Sequence, residues 1–507
     1  MRHTIQEHQL NRVIVASCSP RTHEPLFRET VRESGLNKYL FEMANIRDQC
    51  SWVHMRQKTE ATEKAKDLVR MAVANARMIC PLEELPRPVV KKGLVIGGGA
   101  AGMTAALGLA GQGFEAFLVE KESELGGNLR RLHRTLDGED APKFLAELKE
   151  RVRSNPRIQV FTGAAVTGFS GYVGNFKTAL AIGAEKRELE HGIAIVATGG
   201  QELKPHEYLY GEDPRVLTQL ELGEELAANE AKAGRVKEVV MIQCVGSREE
   251  ERPYCSRVCC AGAVKNALKI KERHPKARIT ILYRDMRTYG LSELYYAQAR
   301  QAGVLFASYD LSSKPAVTKE GESLQVSYLD RVLKEKVVLR PDLLVLSSAV
   351  VPSDTEELAR ILKVPRTAEG FFLEAHMKLR PVDFASEGIF LCGMAHSPKR
   401  IDESLSQAAA AVARACTVLS KEEIYVGGVV GVVDPKKCAA CLTCVRVCPY
   451  NVPVINRDGV AEIEMAKCQG CGSCSAECPG RAIELMHFRH DQIEAKVEAL
   501  VLGAPVG

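Results

Sequence analysis

The stretch Leu94-Val95-Ile96-Gly97-Gly98-Gly99-Ala100-Ala101-Gly102 decides how the rest of this sequence is read. Three apolar residues make a strand, the glycines follow as G-x-G-x-x-G, and small residues open a helix over Met103 to Leu109. Phe114 to Val119 (FEAFLV) is the next strand, and Glu120 closes it, 23 positions after Gly97. Each part has a physical duty. Gly97, Gly99 and Gly102 permit a tight turn and let backbone approach a pyrophosphate closely. The free N–H groups at the helix start face the phosphates. An acidic residue at the end of the second strand holds a ribose hydroxyl, which assigns Glu120, with Lys121 beside it, to the cofactor. Alone the glycine pattern is weak. With strand, helix and Glu120 in place it specifies an α/β, Rossmann-type dinucleotide fold.

Three further features select FAD over NAD. Glu124-Leu125-Gly126-Gly127-Asn128 resembles the segment that follows the acidic residue in flavin-dependent, thioredoxin-reductase-like disulfide reductases. Ile193 to Gly200 (IAIVATGG) resembles their second strand and turn, and brings Ala197, Thr198 and Gly199 to the cofactor. Gly388 to Gly393 (GIFLCG) resembles the late strand that leads to the ribityl chain. In that group an Asp usually follows the last glycine. Here Met394 does, with Asp402, at the start of the next helix, as a candidate substitute. Lys399 lies just beyond, where a cation could reach the flavin and shift its potential; a solvated lysine is the competing reading.

In such enzymes a second dinucleotide fold sits between the two halves of the FAD domain. Val239 to Ile242 and Ile279 to Tyr283 supply its strands, and Leu343 to Leu346 another. The glycine cradle is missing from it. The chain instead reads Gln243-Cys244-Val245-Gly246-Ser247-Arg248, then Tyr254-Cys255-Ser256-Arg257-Val258-Cys259-Cys260. Cys244, Cys255, Cys259 and Cys260 read as ligands of an iron–sulfur cluster, with a redox-active disulfide and structural cysteines as alternatives. On the cluster reading no hydride enters from a nicotinamide there.

Cys438, Cys441, Cys444 and Cys448 have the spacing C-x2-C-x2-C-x3-C before Pro449, and Cys468, Cys471, Cys474 and Cys478 repeat it before Pro479. Thiolates are soft ligands suited to iron, and the fourth cysteine of each run serves the other cluster in two-cluster ferredoxins. So Cys478 joins Cys438, Cys441 and Cys444 on one [4Fe–4S] cluster. Cys448 joins Cys468, Cys471 and Cys474 on the second. Zinc motifs offer cysteine pairs instead of three at x2 intervals.

Composition agrees. Seventeen cysteines, twelve of them in these two regions, argue for metal instead of a disulfide framework. Cys80, Cys392 and Cys416 sit singly and read as buried packing residues. A net charge of +4, from 68 basic and 64 acidic residues, gives no footprint for nucleic acid. There is no secretory signal and no transmembrane stretch, which places the chain in the cytoplasm. Six segments follow: 1–88, a partial N-terminal iron–sulfur-associated α/β region with helices around 24–34 and 59–79; 91–200, the first half of the FAD domain; 201–371, the middle NAD-like domain; 372–427, the second FAD half; 431–487, an α+β two-cluster ferredoxin domain; and 488–507, a tail. Pro81, Pro86 and Pro88 read as a linker. The first ten residues read as the end of a helix, so a strand is expected upstream.

Taken together these residues resemble HdrA, the iron–sulfur flavoprotein of heterodisulfide reductase. The marks are Ala16-Ser17-Cys18-Ser19-Pro20-Arg21 with His23-Glu24, Glu42 to Cys50 (EMANIRDQC), the Cys244 to Cys260 segment, and Gly393-Met394-Ala395-His396 with Pro398-Lys399. The resemblance covers nearly the whole chain, and within that family Met394 is expected. It implies an oxidoreductase in which FAD exchanges electron pairs and single electrons pass along clusters. It also implies a multi-subunit complex with B and C subunits, an electron-donor subunit or ferredoxin, and in some relatives electron bifurcation to the coenzyme M–coenzyme B heterodisulfide. Dimerisation stays open. Quinone-linked relatives serve sulfate reduction. Family members start with a further Cys-x-Cys-Gly-Gly segment that this chain lacks, leaving Cys18 and Cys50 as candidates for an N-terminal cluster. Two other readings compete: an NAD(P)H:ferredoxin oxidoreductase resembling the glutamate synthase small subunit, and an iron–sulfur scaffold without enzymatic activity.

Overall fold

A computed structural model describes residues 1–228 and 236–502. It divides into two units, Val89–Glu422 and a second built from both ends of the chain, Met1–Pro88 with Glu423–Gly507.

Val89–Glu422 holds two parallel five-stranded sheets. The first runs in the order Ile389–Leu391, Ile193–Val196, Lys92–Ile96, Glu115–Val119, Ile158–Phe161. Its inner strands are largely apolar runs because both faces are covered. Leu94, Val95, Ala194, Ile195, Val196 and Leu391 are fully buried. Helix Ala100–Gly111 crosses one face and packs on helix Ile401–Leu419. Small residues make that approach possible: a Cβ on Gly108 would sit 3.0 Å from Val412 Cγ2. The second sheet runs Val216–Thr218, Leu343–Ser348, Glu238–Val245, Arg278–Tyr283, Val304–Ser308. The antiparallel strands Gly200–Glu202 and Val350–Pro352 connect the two lobes. The core is therefore two-lobed, with the second dinucleotide fold inserted between strands of the first.

Two antiparallel sheets were not foreseen. One is the meander Ala164–Tyr172, Asn175–Ile182, Glu185–His191; the other joins Ala316–Glu320, Ser323–Leu329 and Lys336–Leu339.

In the other unit, parallel strands Val13–Ser17 and Phe41–Asn45 pack with helix Pro20–Glu33. The ferredoxin region adds short strand pairs, Gly431–Val433 with Ile483–Leu485 and Val454–Ile455 with Ala461–Glu462. Two expectations change. The proline-rich linker is partly a strand: Glu84–Pro88 pairs antiparallel with Glu423–Gly427. Pro86 and Pro88 are two apart, so both ring nitrogens can face away from the partner in a two-stranded edge. The tail becomes helix His490–Leu502 against helix Lys58–Met78, and of this segment only 503–507 lie outside the described residues.

Candidate functional site

The glycine turn after Lys92–Ile96 brings the sequence-marked cofactor residues together. Gly97 has φ +114°, and a Cβ on it would lie 2.3 Å from the Ala197 carbonyl oxygen. A Cβ on Gly102 would lie 1.8 Å from the Gly97 oxygen, so only glycine lets the helix start this close to the turn. Gly126 N–H donates to the Gly98 oxygen at 2.8 Å, which draws Gly126 and Gly127 over the turn. Asn128 Nδ2 donates to the Gly200 oxygen at 2.8 Å, and Gly393 approaches Ala101.

The Gly99 Cβ position, by contrast, meets nothing within 4 Å and lies at the N-cap of helix Ala100–Gly111. That is the space a pyrophosphate needs. Thr198 Oγ1 is buried with no hydrogen-bond partner, a polar atom that a bound cofactor would satisfy. Both features fit FAD. Glu120 is buried; its Oε2 accepts from Gly98 N–H at 2.6 Å and its Oε1 from Glu122 N–H at 2.9 Å. Its neighbour Lys121 is exposed.

Gly393 has φ +70° and begins a single 3-10 turn that includes Met394. Gly393 N–H donates to Gln407 Oε1 at 3.0 Å. Lys399 is buried, and its Nζ donates to the Gly393 oxygen at 2.8 Å, the Ser397 oxygen at 3.1 Å and Ser397 Oγ at 3.2 Å. Burial, aided by the nearby Arg257 charge, pushes its pKa down to about 8. His396 Nε2 donates to Glu374 Oε2 at 2.9 Å, leaving Nδ1 to accept from Gln407 Nε2 at 2.9 Å. Asp402 is turned to Arg400, at 2.8 Å, and has a structural use of its own.

In the second lobe, Cys244 is the next-to-last residue of the central strand Glu238–Val245 while Cys259 and Cys260 open helix Cys259–Arg273, with Cys255 in the intervening loop. Cys244, Cys259 and Cys260 are buried. Burial pushes the Cys244 thiol up, with Cys260 and Cys255 adding to it, so the four thiols act on one another. Cys260 is pulled down, first by its hydrogen bond from Cys259, with Arg248 and Arg287 contributing charge. Gln243 is fully buried and neither polar atom of its amide has a partner; Ser247 Oγ is likewise unpaired. Strand alternation puts Gln243 on the face of Val239 and Met241, which pack against Ala263 and Val264 of the helix that begins with the cysteine pair. A buried amide without a partner costs about 1–3 kcal/mol. A sulfide-bearing group among the cysteines would supply an acceptor for Gln243 Nε2 and for the Ser247 hydroxyl, so these donors fit a cluster here, while Gln243 Oε1 would still need a donor.

The ferredoxin cysteines sort into two cavities. Cys438, Cys441, Cys444 and Cys478 line one; Cys448, Cys468, Cys471 and Cys474 line the other. The exchange of fourth cysteines between runs is thus present in the backbone. It is a repeated backbone: Ala440, Leu442 and Asn451 take positive φ, and so do Gly470, Gly472 and Arg481, thirty residues on. Backbone N–H groups point at sulfur, from Ala461 to Cys438 at 3.3 Å and from Ala482 to Cys478 at 3.2 Å. Among the described residues no three His, Cys, Asp or Glu side chains close around a single metal ion. The thiols wall cavities instead, which suits a cluster better than a lone zinc.

Cys18 and Cys50 each have a separate partner. Arg47 donates to Cys18 Sγ at 2.8 Å, and Cys50 Sγ lies 2.7 Å from the Ala61 oxygen. Cys392 is fully buried, but Cys80 is exposed, 3.8 Å from Arg489, and not the buried residue expected. Sequence reading missed Arg248, Arg257 and Lys265. Lys265 donates to the Arg134 oxygen at 3.2 Å, and burial lowers its pKa to about 8. No pattern marks a single basic residue; only its surroundings do. No helix among the described residues is long and apolar enough to cross a membrane.

Residues 91–413 match the pyridine nucleotide-disulphide oxidoreductase family, and 431–479 match the 4Fe-4S dicluster domain. In Methanopyrus kandleri, the second iron-sulfur HdrA protein of CoB–CoM heterodisulfide reductase is 38% identical over 90% of this chain and 84% of its own length. In Methanothermobacter thermautotrophicus, the HdrA protein of the H(2):CoB-CoM heterodisulfide,ferredoxin reductase is 36% identical over 98% of this chain and 89% of its own. Among solved structures, thioredoxin reductase of T. acidophilum aligns with TM-score 0.45 and 14% identity over 64% of this chain and 98% of that one.

Proposed function

This chain belongs to the HdrA family of heterodisulfide reductase proteins, an oxidoreductase family, and from that premise we propose a specific division of labour within it. The Gly97–Gly102 turn would hold FAD, which would supply exchange of electron pairs with a donor and of single electrons with the clusters. Gly97, Gly99, Gly102, Gly126 and Gly127 admit its pyrophosphate; Glu120 and Lys121 take the ribose end; Asn128, Ala197, Thr198, Gly199, Gly393 and Met394 border it. Lys399, anchored on the Gly393 oxygen, keeps a cation beside the flavin and tunes its potential. Eight ferredoxin cysteines hold two [4Fe–4S] clusters, and Cys244, Cys255, Cys259 and Cys260 hold a third. Cys18 and Cys50 are the candidates for a fourth.

The observation that carries this reading is the sorting of the eight cysteines into two cavities, each with its fourth cysteine from the other run. Partners are B- and C-type subunits and an electron-donor subunit or ferredoxin, in a cytoplasmic complex that reduces a disulfide, with bifurcation at the flavin as its fullest form. Anaerobic quantification of iron, sulfide and flavin tests the cofactor set. About 12 irons per FAD are expected, and about 16 if Cys18 and Cys50 also serve a cluster. A preparation without flavin overturns the proposal. Rapid bleaching of the flavin by NADPH alone would favour an NAD(P)H:ferredoxin oxidoreductase. The buried cysteines where a second phosphate cradle belongs speak against that reading.

A further inference from the structure

Three residues with side chains take left-handed backbone around the middle cysteines: Cys244 at φ +63°, Arg248 at +59° and Arg257 at +59°. That region is unfavourable for a residue with a Cβ. It persists where surrounding contacts over-determine it, often at functional sites. At Arg248 those contacts are visible. Its N–H donates to the Tyr254 oxygen at 3.1 Å, and its own carbonyl accepts from Arg284 at 2.7 Å. The guanidinium is gripped by Asp285 Oδ2 at 2.6 Å, and its other arm lies 3.9 Å from Cys244 Sγ. The Arg248 side chain is 17% exposed and that of Asp285 55%. Water therefore screens the carboxylate more than the guanidinium, so the Arg248 charge acts on the Cys244 sulfur more strongly than that of Asp285 does.

Burial creates the need for such a field. Cys244, Cys259 and Cys260 are 4%, 7% and 3% exposed. A reduced cluster carries one more negative charge than an oxidised one, and a poorly solvated site disfavours it. We infer that Arg248, aimed by Asp285, is a positioning residue that raises the reduction potential of the cluster held by Cys244, Cys255, Cys259 and Cys260. The inference rests on the reading of those four cysteines as a cluster site. The couple is a one-electron one: [4Fe–4S]2+ accepts one electron and becomes [4Fe–4S]+, with no bond to protein formed or broken. Arg287, 3.6 Å from Asp285 and more exposed, adds a weaker contribution.

The test is a dithionite titration of the full chain, followed by electron paramagnetic resonance, with iron counted in the same samples. Cys259→Ser identifies the middle-cluster signal as the one it abolishes. Arg248→Gln is expected to retain iron and flavin and to move that signal's midpoint to lower potential. Arg248→Lys is expected to restore most of the shift, and the ferredoxin signals are expected to stay in place. If Arg248→Gln sheds iron, Arg287→Gln carries the test, with a smaller fall in the same direction expected. A midpoint that is unchanged or raised in an iron-complete variant overturns the role of Arg248. A wild-type chain with only about eight irons overturns the cluster reading instead.

Discussion

Cys478 lines the same cavity as Cys438, while Cys448, which follows Cys438 in the same run, lines the other cavity with Cys468. Cluster loss should therefore follow space and not sequence. Cys448→Ser is expected to give the resonance spectrum of Cys474→Ser, and Cys478→Ser that of Cys444→Ser, each losing up to about four irons. If Cys448→Ser instead matched Cys444→Ser, the runs would be self-contained and the crossed assignment wrong.

Gly102 and Gly111 lie on one helix and should respond oppositely to alanine. At Gly102 the new Cβ would meet the Gly97 oxygen at 1.8 Å; at Gly111 it meets nothing within 4 Å. Gly102→Ala is expected to lose bound flavin, read from visible absorbance. Gly111→Ala is expected to keep it and to gain about 0.5–1 kcal/mol of helix stability, read by denaturant unfolding.

His191 makes the FAD-binding unit sensitive to acid. The ring is fully buried, with Nδ1 donating to the Ile193 oxygen at 2.9 Å and Nε2 2.7 Å from Thr178 Oγ1. Burial depresses its pKa from 6.5 to about 4. The unfolded chain then binds a proton that the folded one refuses. Stability present above pH 6.5 is lost as the pH falls toward 4, up to about 3 kcal/mol. His191→Gln should flatten that part of the stability–pH curve. An unchanged slope would place the acid sensitivity elsewhere.

The two ferredoxin repeats should differ in their tolerance at one matched position. A Cβ on Gly470 would come 2.5 Å from the Val429 oxygen, whereas its counterpart Ala440 already carries one at φ +50°. Gly470→Ala is expected to weaken the cluster at Cys468, Cys471 and Cys474, with iron lost on mild heating. Ala440→Gly should keep its cluster and relieve about 1 kcal/mol of backbone strain.

What could be read in advance is what chemistry forces into a fixed spacing. The turn at Gly97 to Gly102 and the cysteine runs are such features, because a phosphate cradle and a cluster dictate residue type and separation. Glu185–His191 shows the other case. EKRELEH carries almost continuous charge and no clear apolar period, yet it is a strand because Asn175–Ile182 supplies its partner. His490–Leu502 looked like a tail because the helix it packs on, Lys58–Met78, is remote in the sequence. Arg248 and Lys265 were equally invisible. Their importance comes from what burial places around them, and no spacing rule records that.

The pairing of Pro88 with Glu423 has a consequence for synthesis. The chain leaves one small sheet at Pro88, builds the whole FAD-binding unit, and re-enters the same sheet at Glu423. At roughly 5–20 residues per second, the intervening stretch takes on the order of half a minute to emerge. For that interval the apolar side of helix Lys58–Met78 waits without helix His490–Leu502 to cover it. The flavin unit can fold while its own boundaries are still open, whereas the terminal unit is assembled last. A nascent chain stalled before Glu423 would therefore carry a folded FAD-binding unit and an unfinished terminal unit, and chaperone capture and proteolysis should concentrate in its first 88 residues.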